Sequence, residues 1–331
     1  SSASGNTIFV EPQSVIPLGN KIAQLESNIF SEERRLLALW SREVGENFSD
    51  LKYLCKVMLK LDLALARARY GSWLGGVAPS IFEGKDSSFC LQEFRHPLLV
   101  WQERFQQGKK VVPISFEVAD HLRVIAITGP NTGGKTVTLK SIGLAVLMAR
   151  FGLLLPCIGT PCVPWCSQVL ADIGDEQSLQ QNLSTFSGHI VRISRILNTI
   201  TTCPGSAIVL LDEVGAGTDP TEGTSIAIAL LQVLADRAKL TVVTTHFSQL
   251  KALKYSDSRF ENASVAFNSE DLKPTYHLQW GIPGRSNALE IANRLGLDLD
   301  VIDRAQKLMN HKGEENVNEI IKGLENDRQR Q

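Results

Sequence analysis

The stretch that most constrains this chain is Gly129-Pro130-Asn131-Thr132-Gly133-Gly134-Lys135-Thr136. It satisfies every fixed position of the phosphate-loop spacing G-x-x-x-x-G-K-[ST]. The apolar run Val124-Ile125-Ala126-Ile127 before it reads as a buried strand, and Thr138 to Arg150 after it reads as a helix. The motif needs that strand–loop–helix context. Glycines let backbone N–H groups turn toward a phosphate with no Cβ in the way. The start of the following helix adds unpaired N–H groups and its dipole. Lys135 would then put a point charge on the β- and γ-phosphates of ATP, and Thr136 would offer its hydroxyl to Mg²⁺. A chance glycine-rich turn would also leave a lysine on the surface, but it would not bring the downstream partners described next.

The first partner is the run Ala207-Ile208-Val209-Leu210-Leu211 followed by Asp212-Glu213. A buried parallel strand delivers its C-terminal acids to the edge where open α/β sheets bind ligands. Asp212 is expected to hold Mg²⁺ opposite Thr136, and Glu213 to orient and polarise the attacking water. Thr244-Thr245-His246 ends the next strand, so His246 can reach the γ-phosphate or the water. Gly215-Ala216-Gly217-Thr218-Asp219-Pro220 follows the acids as a tight loop. Leu183-Ser184-Thr185-Phe186-Ser187-Gly188 opens a helix with Ser184 as its N-cap, and helix N-termini attract anions.

The rest of the chain supplies the frame. From Ile16 to Val44 the residues Ile22, Leu25, Ile29, Leu36, Trp40 and Val44 form a helical stripe, and Leu51, Leu54, Met58, Leu61 and Leu65 repeat in heptad fashion up to Tyr70. Two long helices joined by a short turn are expected to pack antiparallel as a hairpin. Gly71 to Gly84 reads as a linker. Strands at 89–94, 111–118, 123–128, 168–173, 207–211 and 240–244 alternate with helices at 185–200 and 221–238, and 262–280 adds two more strands. That alternation predicts an α/β fold with a mainly parallel sheet covered on both faces. Helices at 287–295 and 299–310 close the domain, and the polar tail from His311 reads as an exposed helix or the start of a coiled coil. The expected division is a helical part over 1–75, a nucleotide-binding domain over 76–311 and the tail over 312–331.

Composition excludes less than the motifs assert. A formal net charge of −1 over 331 residues gives no global basic signal, so any nucleic acid must be gripped by local patches. No apolar run reaches the length of a membrane span. The cysteines at 55, 90, 157, 162, 166 and 203 are expected to stay reduced in an intracellular protein, and the cluster 157, 162 and 166 fits no common zinc spacing and reads as buried or half-buried thiols.

Taken together, the phosphate loop, Ser184-Thr185-Phe186, Leu211-Asp212-Glu213, Thr244-Thr245-His246 and Arg95-His96-Pro97 resemble the MutS group of ABC-type ATPases in order and separation across residues 89–310. Thr132, where the mismatch-reading branch usually has Met, and the loop Val214 to Gly223 resemble the second branch, which lacks the mismatch-reading domain. Thr7 to Pro12 and Ala66 to Tyr70 are similar to its core helical region. The resemblance implies a homodimer with ATP sandwiched between subunits. One subunit supplies Asn131, Gly133, Gly134, Lys135, Thr136, Asp212, Glu213 and His246, and the other supplies Ser184. It further implies adenine held by His277 and Ile114. Mismatched or branched DNA is the implied ligand, in mismatch repair or suppression of recombination. A ribosome-associated role in rescuing stalled ribosomes is the alternative. Many members of the branch carry a small C-terminal nuclease-type domain, and no nuclease activity is expected of this stretch. Organellar members, chloroplast among them, keep the expected location intracellular without fixing the compartment.

Overall fold

The computed structural model describes residues 12–83, 88–106, 108, 110–129, 134–174, 185–202, 204–268, 273–281, 289, 292–293 and 296–311. Two compact units emerge, Ser1–Ala66 and Arg67–Gln331. Thr7 to Pro12, apart from its last residue, and the tail over 312–331 lie outside the described residues, as does most of the helix expected over 287–295.

The first unit is helical. Helix α1 runs Ile16–Glu46 with a proline in its first turn, and α2 runs Phe48–Leu74. Only Asn47 lies between them. Its N–H donates to Glu43 O at 3.2 Å, and its own carbonyl accepts from Leu51 N–H at 3.0 Å. The two long helices are as expected, but their stripes are not buried on one another. No side chain of α1 is buried among the described residues. Ile22, Leu25 and Ile29 are 58%, 50% and 60% exposed, and Leu54, Met58 and Leu61 of α2 are similar. An apolar stripe is buried only where a second surface meets it, and this unit does not provide one.

The second unit begins with the last turns of α2. Gly71 is buried because α2 lies against Leu154: a Cβ at Gly71 would sit 2.5 Å from Leu154 Cδ1. Val77 and Leu155 then exchange backbone hydrogen bonds of 2.8 Å in both directions. The Gly- and Ser-rich stretch that reads as a linker is therefore packed in place at its start. Strand β1 is Ser80–Phe82 and β2 is Phe89–Phe94. Helix α3 is Pro97–Phe105, β3 is Ile114–Val118, β4 is Val124–Thr128 and α4 is Lys135–Arg150. There follow β5 (Cys162–Pro164), β6 (Gln168–Asp172), α5 (Thr185–Thr202), β7 (Ala207–Leu211) and α6 (Pro220–Arg237). The unit continues with β8 (Leu240–Thr244), α7 (Ser248–Ser256), β9 (Phe260–Asn268), β10 (Lys273–Trp280) and α8 (Leu299–His311).

The main sheet has the order β10-β9-β4-β8-β7-β6. All its pairings are parallel except β10 on β9. This is the mainly parallel α/β sheet expected from the alternation of elements. Its central strands are buried at every residue, and their side chains alternate between two cores. Ile125, Ile127, Ile208, Leu210 and Val242 face the core that contains Leu139, Ile142 and Val146 of α4. Val124, Ala126, Val209, Leu211 and Val243 face the core built with α5, α6 and α7. Gly143 lets α4 approach closely, since a Cβ there would meet Leu210 Cδ1 at 2.4 Å. A smaller sheet, β1-β5-β2-β3, packs on the α4 side of the unit.

The thiols are distributed differently from their sequence clustering. Cys90 on β2 faces Cys162 on β5 across the small sheet, while Cys157 and Cys166 are buried. Among the described residues no group of three or more His, Cys, Asp or Glu could hold a metal ion. Burial pushes the Cys157 thiol up to about 12 and raises Cys166 as well. At pH 7 a maleimide is expected to modify exposed Cys55 first and to leave Cys157 and Cys166 intact until the chain unfolds. Peptide mapping checks this, and early labelling of Cys157 would contradict it. Also among the described residues, no helix is long and apolar enough to cross a membrane.

Candidate active site

Parallel strands place their C-terminal ends side by side. Ile127 of β4 pairs with Thr244 of β8, Leu211 of β7 with Val243, and Asp172 of β6 with Leu211. The residues that follow these ends therefore share one edge of the sheet: Gly129 and Lys135 after β4, Asp212 and Glu213 after β7, and Thr245 and His246 after β8. This is the crevice where an open α/β sheet takes its ligand.

At the centre lies Lys135, only 2% exposed at the start of α4. Gly134 caps that helix with φ +89°, and Gly129 has φ +128°, conformations that L side chains rarely adopt. The Lys135 ammonium donates to Gly129 O at 2.8 Å and lies 3.1 Å from His246 Nε2. Burial lowers its pKa from 10.5 to about 8, against the opposing pull of Glu213 and Asp212. Glu213 Oε1 stands 3.3 Å from the same His246 Nε2. An ammonium only donates and a carboxylate only accepts. One ring nitrogen therefore serves either Lys135, as an acceptor, or Glu213, as a donor, but not both at once.

Asp212 is buried, and Thr244 fixes its orientation. The Thr244 hydroxyl donates to Asp212 Oδ1 at 2.5 Å and accepts from Glu213 N–H at 2.8 Å. Thr244 thus sets both acids from the neighbouring strand, a role that the sequence pattern did not suggest. Glu213 itself has φ +48°, one of two described non-glycine residues with positive φ. Such strain collects where surrounding contacts over-determine a functional residue.

The loop after the acids supplies those contacts. Gly215 has φ +81°, and a Cβ on it would meet Gly223 O at 2.6 Å and Phe247 Cε2 at 2.9 Å. A Cβ on Gly223 would meet Gly215 O at 2.3 Å. The two backbones touch, and Asp219 caps α6 between them by accepting from Thr221 and Glu222 N–H. Gly223→Ala is expected to lower stability by about 1–3 kcal/mol, the usual cost of forcing atoms into a filled site. A thermal unfolding midpoint equal to wild type would contradict the tight contact.

Hard oxygen donors, a carboxylate and a hydroxyl, suit Mg²⁺, which takes one or two protein oxygens and completes its shell with water and phosphate. Buried Asp212 and half-buried Thr136 each carry one donor of these two kinds. The remaining expected residues divide three ways. Pro130, Asn131, Thr132, Gly133 and Ser184 lie outside the described residues. Ile114 is buried on β3 at 3% exposure, and His277 is exposed on β10. The two strands approach through Phe116 and Trp280, whose ring centroids are 5.6 Å apart.

The family model described as MutS domain V matches residues 125–312. A curated relative from Synechocystis sp., "Endonuclease MutS2", is 53% identical over 347 residues, covering 100% of this chain and 42% of the relative. Proteins of the same name from Finegoldia magna and Symbiobacterium thermophilum are 40% and 43% identical, covering 100% and 98% of this chain and 41% and 39% of theirs. The chain thus spans about two-fifths of the length of these relatives. On the family match and on identity along its whole length, the chain belongs to the MutS family, in the branch of its MutS2 relatives.

Proposed function

We propose that this chain is the Mg²⁺-dependent ATP-hydrolysing part of a homodimeric protein whose nucleotide state controls a clamp on branched or mismatched DNA. The observation that carries the reading is the convergence of a buried lysine, two acids and a histidine on one sheet edge, with Lys135 and Glu213 competing for His246 Nε2. A triphosphate would draw the Lys135 ammonium away from Gly129 O and His246. That exchange frees Nε2 to donate to Glu213 or to the γ-phosphate. Glu213 then accepts a proton from the attacking water, and its backbone tie to Thr244 keeps the carboxylate at the strand end. Thr136 and Asp212 would hold Mg²⁺, which neutralises phosphate charge.

Gly129 and Gly134, both with positive φ, would turn backbone N–H groups toward the phosphates. Ser184 of a second copy would complete the site across a two-fold interface, and Ile114 and His277 would border the adenine. The nuclease in the relatives' name is assigned to no residue of this chain.

The DNA reading is tested by measuring ATPase rates of the full protein with four-way junction DNA, plain duplex and ribosomes side by side. Junction DNA is expected to stimulate most. Stimulation by ribosomes alone would replace the DNA clamp with a ribosome-directed role and leave the ATPase assignment standing.

A further inference from the structure

One charged cluster at the sheet edge is not used by the chemistry above. Asp172 ends β6 and is 2% exposed. Its Oδ2 accepts from His189 Nδ1–H at 2.7 Å and its Oδ1 from Arg192 Nε–H at 2.5 Å. A carboxylate only accepts, so Nδ1 carries the ring proton. Arg192 Nη2, 3.3 Å from Nδ1, is then a close neighbour and not a bonding partner. His189 and Arg192 are three residues apart on α5 and share one face of it. The carboxylate therefore grips the helix at two points, which fixes both its rotation and its height on the sheet. On the other side, the Asp172 carbonyl accepts from Asp212 N–H at 2.8 Å. A continuous chain of bonds thus runs from α5 through Asp172 and Asp212 to Thr244 and Glu213.

Stability alone is a weak reason for such a cluster. Replacing a buried ion pair by apolar side chains is often neutral or stabilising. What two directional bonds add is placement. Helix α5 opens at Thr185, directly after Ser184. We infer that Asp172 is a positioning residue that, through His189 and Arg192, sets the N-terminus of α5 for contact with the nucleotide held by the other copy. This inference rests on the ATP-sandwich reading above and goes beyond it by naming what orients the second half of the site.

The test uses Asp172→Asn and Arg192→Gln in the full protein. A misplacement of about 1 Å at a reacting centre costs on the order of 10²-fold in rate. Each variant is therefore expected to lose roughly that much kcat, while its affinity for ADP, set by the phosphate loop, stays at the wild-type value. Arg192→Lys is expected to recover part of the loss. Mixing Asp172→Asn with Lys135→Ala should restore activity: one composite site per mixed dimer then combines an intact Lys135 with an intact α5. Wild-type kcat in both variants would overturn the inference, as would a mixture no more active than its parents. Where Asp172→Asn does not fold, Arg192→Gln carries the same comparison. Glu213→Gln, assayed in parallel, separates the two levels. If Glu213→Gln is inactive and Asp172→Asn fully active, only the role of Asp172 falls. If Glu213→Gln hydrolyses ATP like wild type, the ATPase reading itself falls.

Discussion

Glu213→Gln is expected to turn over ATP about 10²–10⁴-fold more slowly than wild type, the range for losing a positioned general base, while still binding ATP. Glutamine has the same shape and can keep the backbone bond from residue 213 N–H to Thr244 Oγ1. It can also keep a contact with His246 Nε2, which lies 3.3 Å from Oε1 in the wild type. What it cannot do at neutral pH is accept the proton of the attacking water. Lys135, Thr136 and Asp212 are untouched, so the phosphates and Mg²⁺ keep their partners. Phosphate release and equilibrium dialysis on the same sample separate the two effects. Hydrolysis at the wild-type rate would remove Glu213 from the chemistry. Loss of binding would mean that its left-handed backbone, φ +48°, fails to hold glutamine.

Lys135→Met is expected to act in opposite directions on binding and on stability. Charge-assisted hydrogen bonds contribute about 1.5–3 kcal/mol. Removing the lysine should therefore weaken ATP affinity by roughly 10- to 150-fold. The nucleotide-free protein, however, should become more stable, because burial disfavours the ammonium and lowers its pKa from 10.5 to about 8. A shift of that size corresponds to about 3 kcal/mol.

The sign follows from proton binding. Below pH 8 both the folded and unfolded states are protonated and the full cost is present. Between pH 8 and 10.5 the unfolded chain still holds the proton that the folded chain has lost, so wild-type stability rises with pH. Above 10.5 the cost is gone. Denaturant unfolding without nucleotide should show the methionine variant ahead at pH 7 and its lead shrinking by pH 9.5. An unchanged lead would mean that Lys135 does not titrate in this window.

How much of this was legible in the sequence depends on the range of the signal. Strands β4, β7 and β8 are continuous apolar runs because both faces are buried, and their limits could be read to within a residue or so. The phosphate-loop motif and the Asp212-Glu213 pair stand out in the sequence because their spacing is local. The second sheet could be read only in part: β2 and β3 show as strands at 89–94 and 111–118, but β1 and β5 do not. Its strands β1 and β5 have three residues each, too few to show a period, and they join β2 and β3 only through long-range pairing. Gly71 to Gly84 reads as a linker from its glycines. The structure shows that Gly71 is needed for close packing on Leu154. The Asp172, His189 and Arg192 cluster joins a strand end to a helix beyond a loop, so no local pattern announces it. The apolar stripes of α1 and α2 were legible as helices, but a stripe does not say what covers it.

The most direct test of a site shared between two copies is sedimentation equilibrium of the full-length Glu213→Gln protein with Mg²⁺ and either ATP or ADP. With hydrolysis blocked, ATP stays in place, and each γ-phosphate would be held by Lys135 of one copy and the Ser184 helix end of the other. A two-fold interface uses each such contact twice. The expected result is a dimer that forms at markedly lower protein concentration in ATP than in ADP, with the difference abolished by adding Ser184→Arg. Equal association in ATP, in ADP and without nucleotide would contradict the shared site.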